Sequence, residues 1–141
     1  TLEEITEACR VASIHKNIME LKDQYKTLVG EKGVTLSGGQ KQRLCIARAI
    51  IRRPQILILD DALSSVDTNT EKEIIRNLGS YSIGIKGITT IVISHRISSF
   101  IKADNIFVLD KGRIESSGTH RELIKKSEIY KGIYKIQKLE E

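Results

Sequence analysis

The sequence places Leu36-Ser37-Gly38-Gly39-Gln40 just where a helical pattern begins. Unpaired backbone N–H groups and the positive end of the helix dipole therefore point at the same spot as the Ser37 hydroxyl. The missing side chains of Gly38 and Gly39 let an anion come close. Ser-Gly-Gly alone favours the plainer reading of an N-cap with two loop glycines. The longer string, with Gln-Lys-Gln-Arg and Ala47-Arg48-Ala49 behind it, favours a grip on phosphate. Further on, Asp60 and Asp61 close the apolar run Ile56-Leu57-Ile58-Leu59. An acid at the carboxyl end of a buried strand suits Mg²⁺, a hard ion that takes oxygen ligands and keeps part of its water shell. Its neighbour would align an attacking water. Two acids opening the next segment as helix caps are the competing reading. His95 follows a second apolar run and reaches the same sheet edge if the two strands run parallel, where a neutral imidazole hydrogen-bonds a γ-phosphate.

These residues need elements to hold them. Leu2, Ile5, Cys9 and Ala12 recur at helical spacing, predicting an amphipathic helix over 2–16. A polar passage from Tyr25 to Leu36 leads to the helix that starts after Ser37. Between Leu44 and Ile51 only Arg48 is charged, so that helix is expected to be buried on most of its circumference until Pro54 stops it. The run 56–59 reads as a strand buried on both faces, as in parallel sheets. A helix over 69–78 and the β-branched run 88–93 complete a βαβ unit. Residues 105–109, the turn Asp110-Lys111-Gly112-Arg113 and Ile114 predict an antiparallel hairpin. Thr119-His120-Arg121-Glu122 is a capping box that opens a helix, and a last helix begins near Glu128.

At 141 residues the chain is about one domain. Its apolar runs fall far short of the roughly 20 residues that span a bilayer, and it opens with no secretory leader pattern, so no part is expected to cross a membrane. Cys9 and Cys45 lack partners at metal-ligand spacing and are expected to be buried, reduced thiols of a cytosolic protein. The net charge of +5 is modest, and Lys125, Lys126, Lys131, Lys135 and Lys138 read as a solvated helix face; no nucleic-acid site is expected.

Taken in order, LSGGQ, then Ile56 to Asp61, then Ala62-Leu63-Ser64-Ser65-Val66-Asp67, then Ser94-His95-Arg96 resemble the signature, Walker B, D-loop and switch-histidine motifs of ATP-binding-cassette (ABC) ATPases. Thr27-Leu28-Val29-Gly30-Glu31-Lys32-Gly33 is similar to the exporter loop that touches the transmembrane domains, and the tail from Ala103 to Leu123 also looks like exporters. The resemblance implies an α/β P-loop NTPase fragment: a helical subdomain over 1–53, then over 54–141 the later strands of the core parallel sheet, ending in an antiparallel hairpin and C-terminal helices.

The resemblance also implies ATP and Mg²⁺ as cofactors and a cytoplasmic place at the membrane. Its implied partners are a second nucleotide-binding domain and, through 27–33, the transmembrane domains. Two such domains face each other head to tail, so Ser37, Gly38, Gly39 and Gln40 would contact ATP held by the partner. Asp60 would organise Mg²⁺ through water, Asp61 and His95 would face the attacking water and γ-phosphate, Asp67 would communicate across the dimer, and Glu31 would sit near the membrane-domain contact. The family's Gly-x₄-Gly-Lys-Ser/Thr loop is absent; Gly79 to Gly84 has the glycine spacing, but Ile85 stands where Lys is required. The chain alone is expected to bind ATP weakly or not at all. Asp61 replaces the family's catalytic Glu, which resembles the hydrolysis-impaired subunit of heterodimeric exporters. A soluble ABC ATPase acting on DNA or ribosomes and a non-hydrolytic clamp are the rival readings.

Overall fold

The computed structural model describes residues 1–30, 33–84 and 88–139, with the backbone alone for 81–84. The chain divides into two compact units, Thr1–Ile93 and Ser94–Glu141. In the first, helix α1 (Leu2–Val11) opens with a capping box between Thr1 and Glu4. The expected helix over 2–16 breaks early: Ser13 turns left-handed at φ 52°, and a short α2 (His15–Met19) starts after it. Asn77 bridges the break, its amide donating to the Val11 carbonyl and the Ser13 hydroxyl, both at 3.4 Å.

Helix α3 (Gly38–Ile50) is capped by Ser37 and packs against α1. Its burial is one-sided: Ile46, Ala47 and Ile50 are buried, while Cys45, Arg48 and Ile51 are exposed. The expectation of a helix buried nearly all round is corrected, because α1 and the strand that follows cover only one of its faces. Of the two cysteines expected to be buried, Cys9 is and Cys45 is not. The helix ends where Arg53 turns left-handed at φ 49° just before Pro54, which has no N–H to continue the ladder.

Strand β1 (Ile56–Asp60) pairs in parallel with β2 (Thr89–Ile93), in the register Ile58↔Ile91 and Asp60↔Ile93. Helix α4 (Thr68–Gly84) connects them and buries Ile74 and Leu78 in the same core. The expected two-sided burial of β1 is not found: Leu57 and Leu59 are 4% and 3% exposed, but Ile56 and Ile58 are each 60% exposed. The register places Ile56, Ile58, Ile91 and Ile93 on one face, which the helices of this unit leave to solvent. These side chains are 45–60% exposed, so each forgoes part of the roughly 1.5–3 kcal/mol that full burial brings, and together they form an exposed apolar face.

In the second unit, β3 (Ile106–Asp110) and β4 (Arg113–Gly118) form the expected hairpin, with a register irregularity between Val108 and Leu109. Lys111 and Gly112 take φ of 47° and 75°, the paired left-handed geometry of a tight hairpin turn. Helix α5 (His120–Lys126) carries the expected capping box of Thr119 and Glu122, and α6 (Glu128–Leu139) follows. Ile97, Ile106, Val108, Leu123 and Tyr130 form the core.

Tyr130 lies in that core with its hydroxyl 2.8 Å from Nδ1 of His120, and burial pushes its phenol up to about 12. A raised phenol pKa means the unfolded chain releases this proton first, so stability falls as pH rises above about 10 and levels off near 12. Alkaline unfolding followed by circular dichroism should show this loss, and Tyr130→Phe should lack it.

Candidate functional site

The helix–strand order of unit 1 determines which ends meet. Helix α3 runs one way and β1 returns, so the tip of β1 comes back to the start of α3. At that start a capping box closes: Ser37 Oγ accepts from the Gln40 N–H (3.2 Å), and Gln40 Oε1 accepts from the Ser37 N–H (2.9 Å). The N–H groups of Gly38 and Gly39, at the first two helical positions, have no acceptor within the helix. The capping and anion readings of Ser37 are therefore compatible: the side chain orders the turn, and the glycine amides face outward with the dipole behind them.

Asp60 ends β1 level with Ile93, and the Asp61 N–H donates to the Ile93 carbonyl at 3.0 Å. Asp61 then turns left-handed, φ 47°, a conformation that Asp tolerates better than most residues. Its carbonyl accepts from Ser64 Oγ (3.0 Å), while Leu63 and Val66 anchor the turn in the core. Asp67 Oδ1 accepts from the Thr70 N–H at 3.0 Å, which makes Asp67 the cap of α4. That backbone N–H bond lowers the Asp67 pKa. Its contribution is present above the ordinary carboxylate range and is lost as pH falls through the lowered pKa.

Gln42 joins the two halves, a role the sequence did not reveal. Its Nε2 donates to Ser64 Oγ (3.0 Å) and, at 3.5 Å, to the Asp61 carbonyl, and its Oε1 accepts from the Ser65 N–H (2.9 Å). Gly39 makes the close approach possible, since a Cβ there would lie 2.7 Å from the Ser65 carbonyl oxygen. A polar residue three places beyond the glycine pair was the one available signal. Gln42→Ala should cost roughly 1–3 kcal/mol, two or three hydrogen bonds at their usual net value, measurable by urea denaturation.

The structure thus brings Ser37, Gly38, Gly39, Gln40, Asp60, Asp61 and Asp67 into unit 1, with the start of α3 against the turn that follows the acids. His95 belongs to unit 2 and is exposed. Its carbonyl accepts from Gln137 Nε2, and the Ile97 N–H donates to Gln137 Oε1 at 2.8 Å, so α6 holds the turn that carries it. Ser94 Oγ, accepting from the Arg96 N–H at 3.0 Å, closes the same turn. Glu31 lies outside the described residues; around it, Val34 N–H donates to the Leu28 carbonyl (2.9 Å) and closes the loop. Gly79 to Gly84 runs inside α4, so that glycine pair is helix and no phosphate loop.

Among the described residues no three or more His, Cys, Asp or Glu side chains gather as a metal cage. Mg²⁺ is held by one or two carboxylates together with water and phosphate oxygens. Asp60 would be the carboxylate. No helix among the described residues is long and apolar enough to cross a membrane.

Comparison with known proteins shows what the whole chain is similar to. The pattern of the family described as "ABC transporter" matches residues 1–64. The chain is 51% identical over 137 residues to the ABC transporter ATP-binding protein YknU of Bacillus subtilis, covering 97% of this chain and 23% of that protein. It is 49% identical over 138 residues to the multidrug resistance-like ATP-binding protein MdlA of Buchnera aphidicola, covering 98% and 23%. A bacterial Atm1-family ABC exporter with ATP bound superposes with a TM-score of 0.85 at 37% identity, covering 97% of this chain and 23% of that one. The chain belongs to the ABC transporter nucleotide-binding domains. Within them it is of the exporter type, and it spans about a quarter of the length of these relatives.

Proposed function

We propose that this chain forms part of the ATP-driven engine of an exporter, in which ATP binding and hydrolysis power movement of a substrate across a membrane from its cytoplasmic face. Residues 1–53 act as the helical subdomain and 54–141 as the later part of the ATPase core. One observation carries the reading: the outward amides of Gly38 and Gly39 and the acids Asp60 and Asp61 lie at the same end of one unit, tied together by Gln42.

In this reading Ser37, Gly38, Gly39 and Gln40 bind the γ-phosphate of ATP held by a second nucleotide-binding domain. Asp60 orients a water in the shell of Mg²⁺, which supplies neutralisation of phosphate charge when bound. Asp61 and His95 face the attacking water and the γ-phosphate of this chain's own pocket. Asp67, by capping α4, holds the turn through which one pocket senses the other. The loop over 27–33 meets the transmembrane domains. Asp61, one methylene shorter than the Glu of the family, supports a pocket that holds ATP longer than it cleaves it, paired with a competent pocket on a different subunit.

The test is recovery of partners. Purified from membranes with mild detergent, the full-length protein should bring down a second subunit with its own nucleotide-binding domain and show ATP turnover that rises with substrate. Recovery of nucleic acid or ribosomes in place of a membrane subunit would overturn the reading.

A further inference from the structure

The turn that carries His95 is held on both sides by side chains. Before His95, Ser94 Oγ accepts from the Arg96 N–H at 3.0 Å and from the Ser99 hydroxyl at 3.1 Å, which closes the turn on itself. After it, Ile97 is buried in the core of the second unit and opens the 3₁₀ turn Ile97–Ser99. The N–H of a first helical residue has no acceptor within its own turn. Gln137 of α6 supplies one: its Oε1 accepts from the Ile97 N–H at 2.8 Å, and Nε2 of the same amide donates to the His95 carbonyl. One planar amide thus grips both peptide units that follow His95.

The way α6 packs aims that amide. Tyr130, Tyr134 and Gln137 are spaced i, i+4, i+7 and share one face of the helix. Tyr130 is buried with its hydroxyl on Nδ1 of His120, and the Tyr134 ring meets the His120 ring edge-on at a centroid distance of 5.0 Å. Helix α5 therefore fixes the rotation of α6, and Gln137 reaches the turn from a rigid element. A group that acts on a reacting atom must be held this way, because a displacement of about 1 Å costs about a hundredfold in rate. We propose that Gln137 is a positioning residue for His95: by gripping the backbone after it, the Gln137 amide sets where the exposed imidazole meets the γ-phosphate. The proposal rests on the reading of His95 given above and adds a residue that touches neither nucleotide nor water.

The test uses the assembled full-length transporter with the catalytic carboxylate of the partner pocket replaced, so that the cleavage left belongs to this chain's pocket. Gln137→Met keeps length and helix propensity and removes both hydrogen bonds. Gln137→Glu keeps the acceptor for the Ile97 N–H but, ionised, donates nothing to the His95 carbonyl. Both variants should lower kcat about tenfold, less than a full misplacement, with KM for ATP within about twofold and the melting temperature near that of the parent. Hydrogen exchange should quicken over 94–99 and stay unchanged over 113–126. His95→Ala should lower kcat at least as far, and adding Gln137→Met to it should cost nothing more, the non-additivity of two residues that act as one. Full kcat in both Gln137 variants, while His95→Ala is slow, would overturn the proposal and leave the reading of His95 standing. A loss that adds to that of His95→Ala, or one that comes with a lower melting temperature and faster exchange throughout the second unit, would reduce Gln137 to a structural tie and overturn it as well. Full kcat in His95→Ala would instead remove the reading itself, and the proposal with it.

Discussion

Asp61→Glu in the full-length protein is expected to raise ATP turnover by at least about tenfold, since a group that orients water loses about a hundredfold when it is misplaced by 1 Å. Asp stops one methylene short of the position from which the family's Glu acts. The backbone adds a cost that runs the other way. Asp61 sits at φ 47°, a region that a longer side chain tolerates less well, so the variant should be less stable by about 1 kcal/mol even as it becomes faster. Turnover and thermal stability measured on the same preparation separate the two effects. Unchanged or lower turnover with intact folding would count against an impaired pocket.

The two glycines that open α3 should respond differently from each other, although the sequence treats them alike. A Cβ at Gly39 would sit 2.7 Å from the Ser65 carbonyl oxygen, and backbone on both sides leaves little room to move. Gly39→Ala should therefore cost about 1–3 kcal/mol by overpacking and lose turnover as well. A Cβ at Gly38 meets only Ser65 side-chain atoms at 3.6 Å, an ordinary contact. Gly38→Ala should fold normally yet obstruct the approach of phosphate. Ser37→Asp completes the series: Asp caps a helix as well as Ser, but puts a negative charge where the anion is expected. Loss of preorganised donors to a phosphate lowers rates by about 10²–10³, and both Gly38→Ala and Ser37→Asp should approach that in the assembled transporter while their melting temperatures stay near that of the parent. Melting temperatures that fall together with turnover in all three variants would reduce the motif to a structural cap.

Much of the scaffold could be read from residue order. Ser37 as an N-cap and Thr119 with Glu122 as a capping box announced helix starts because a cap is local, made within four residues. Asp110 to Arg113 announced the hairpin for the same reason. What could not be read depends on distant partners. The run 56–59 is apolar at every position, so nothing in it tells a strand covered on both faces from one covered on a single face; the exposure of Ile56 and Ile58 is set by which neighbours this chain supplies. Ser13 carries no strong breaking signal, yet its left-handed turn splits the first helix. Gln42 looks like any polar residue on a helix, and its value appears only when the turn over 61–65 folds back onto α3. The acids and the amide-lined helix start were visible as types and spacings, whereas the tie between them was not.

The most direct test asks whether the helix start and the strand-tip acid serve different nucleotides. An ATP analogue with a photoreactive group on its γ-phosphate is bound, with Mg²⁺, to an assembled pair of subunits in which only this chain carries Asp60→Asn. The labelled peptide covering 36–42 of this chain is then quantified. If Ser37 to Gln40 close on the partner's nucleotide, labelling of that peptide persists at the level of the unaltered pair. If Asp60→Asn abolishes labelling of 36–42 on the same chain, both groups grip one nucleotide and the two-pocket account is contradicted.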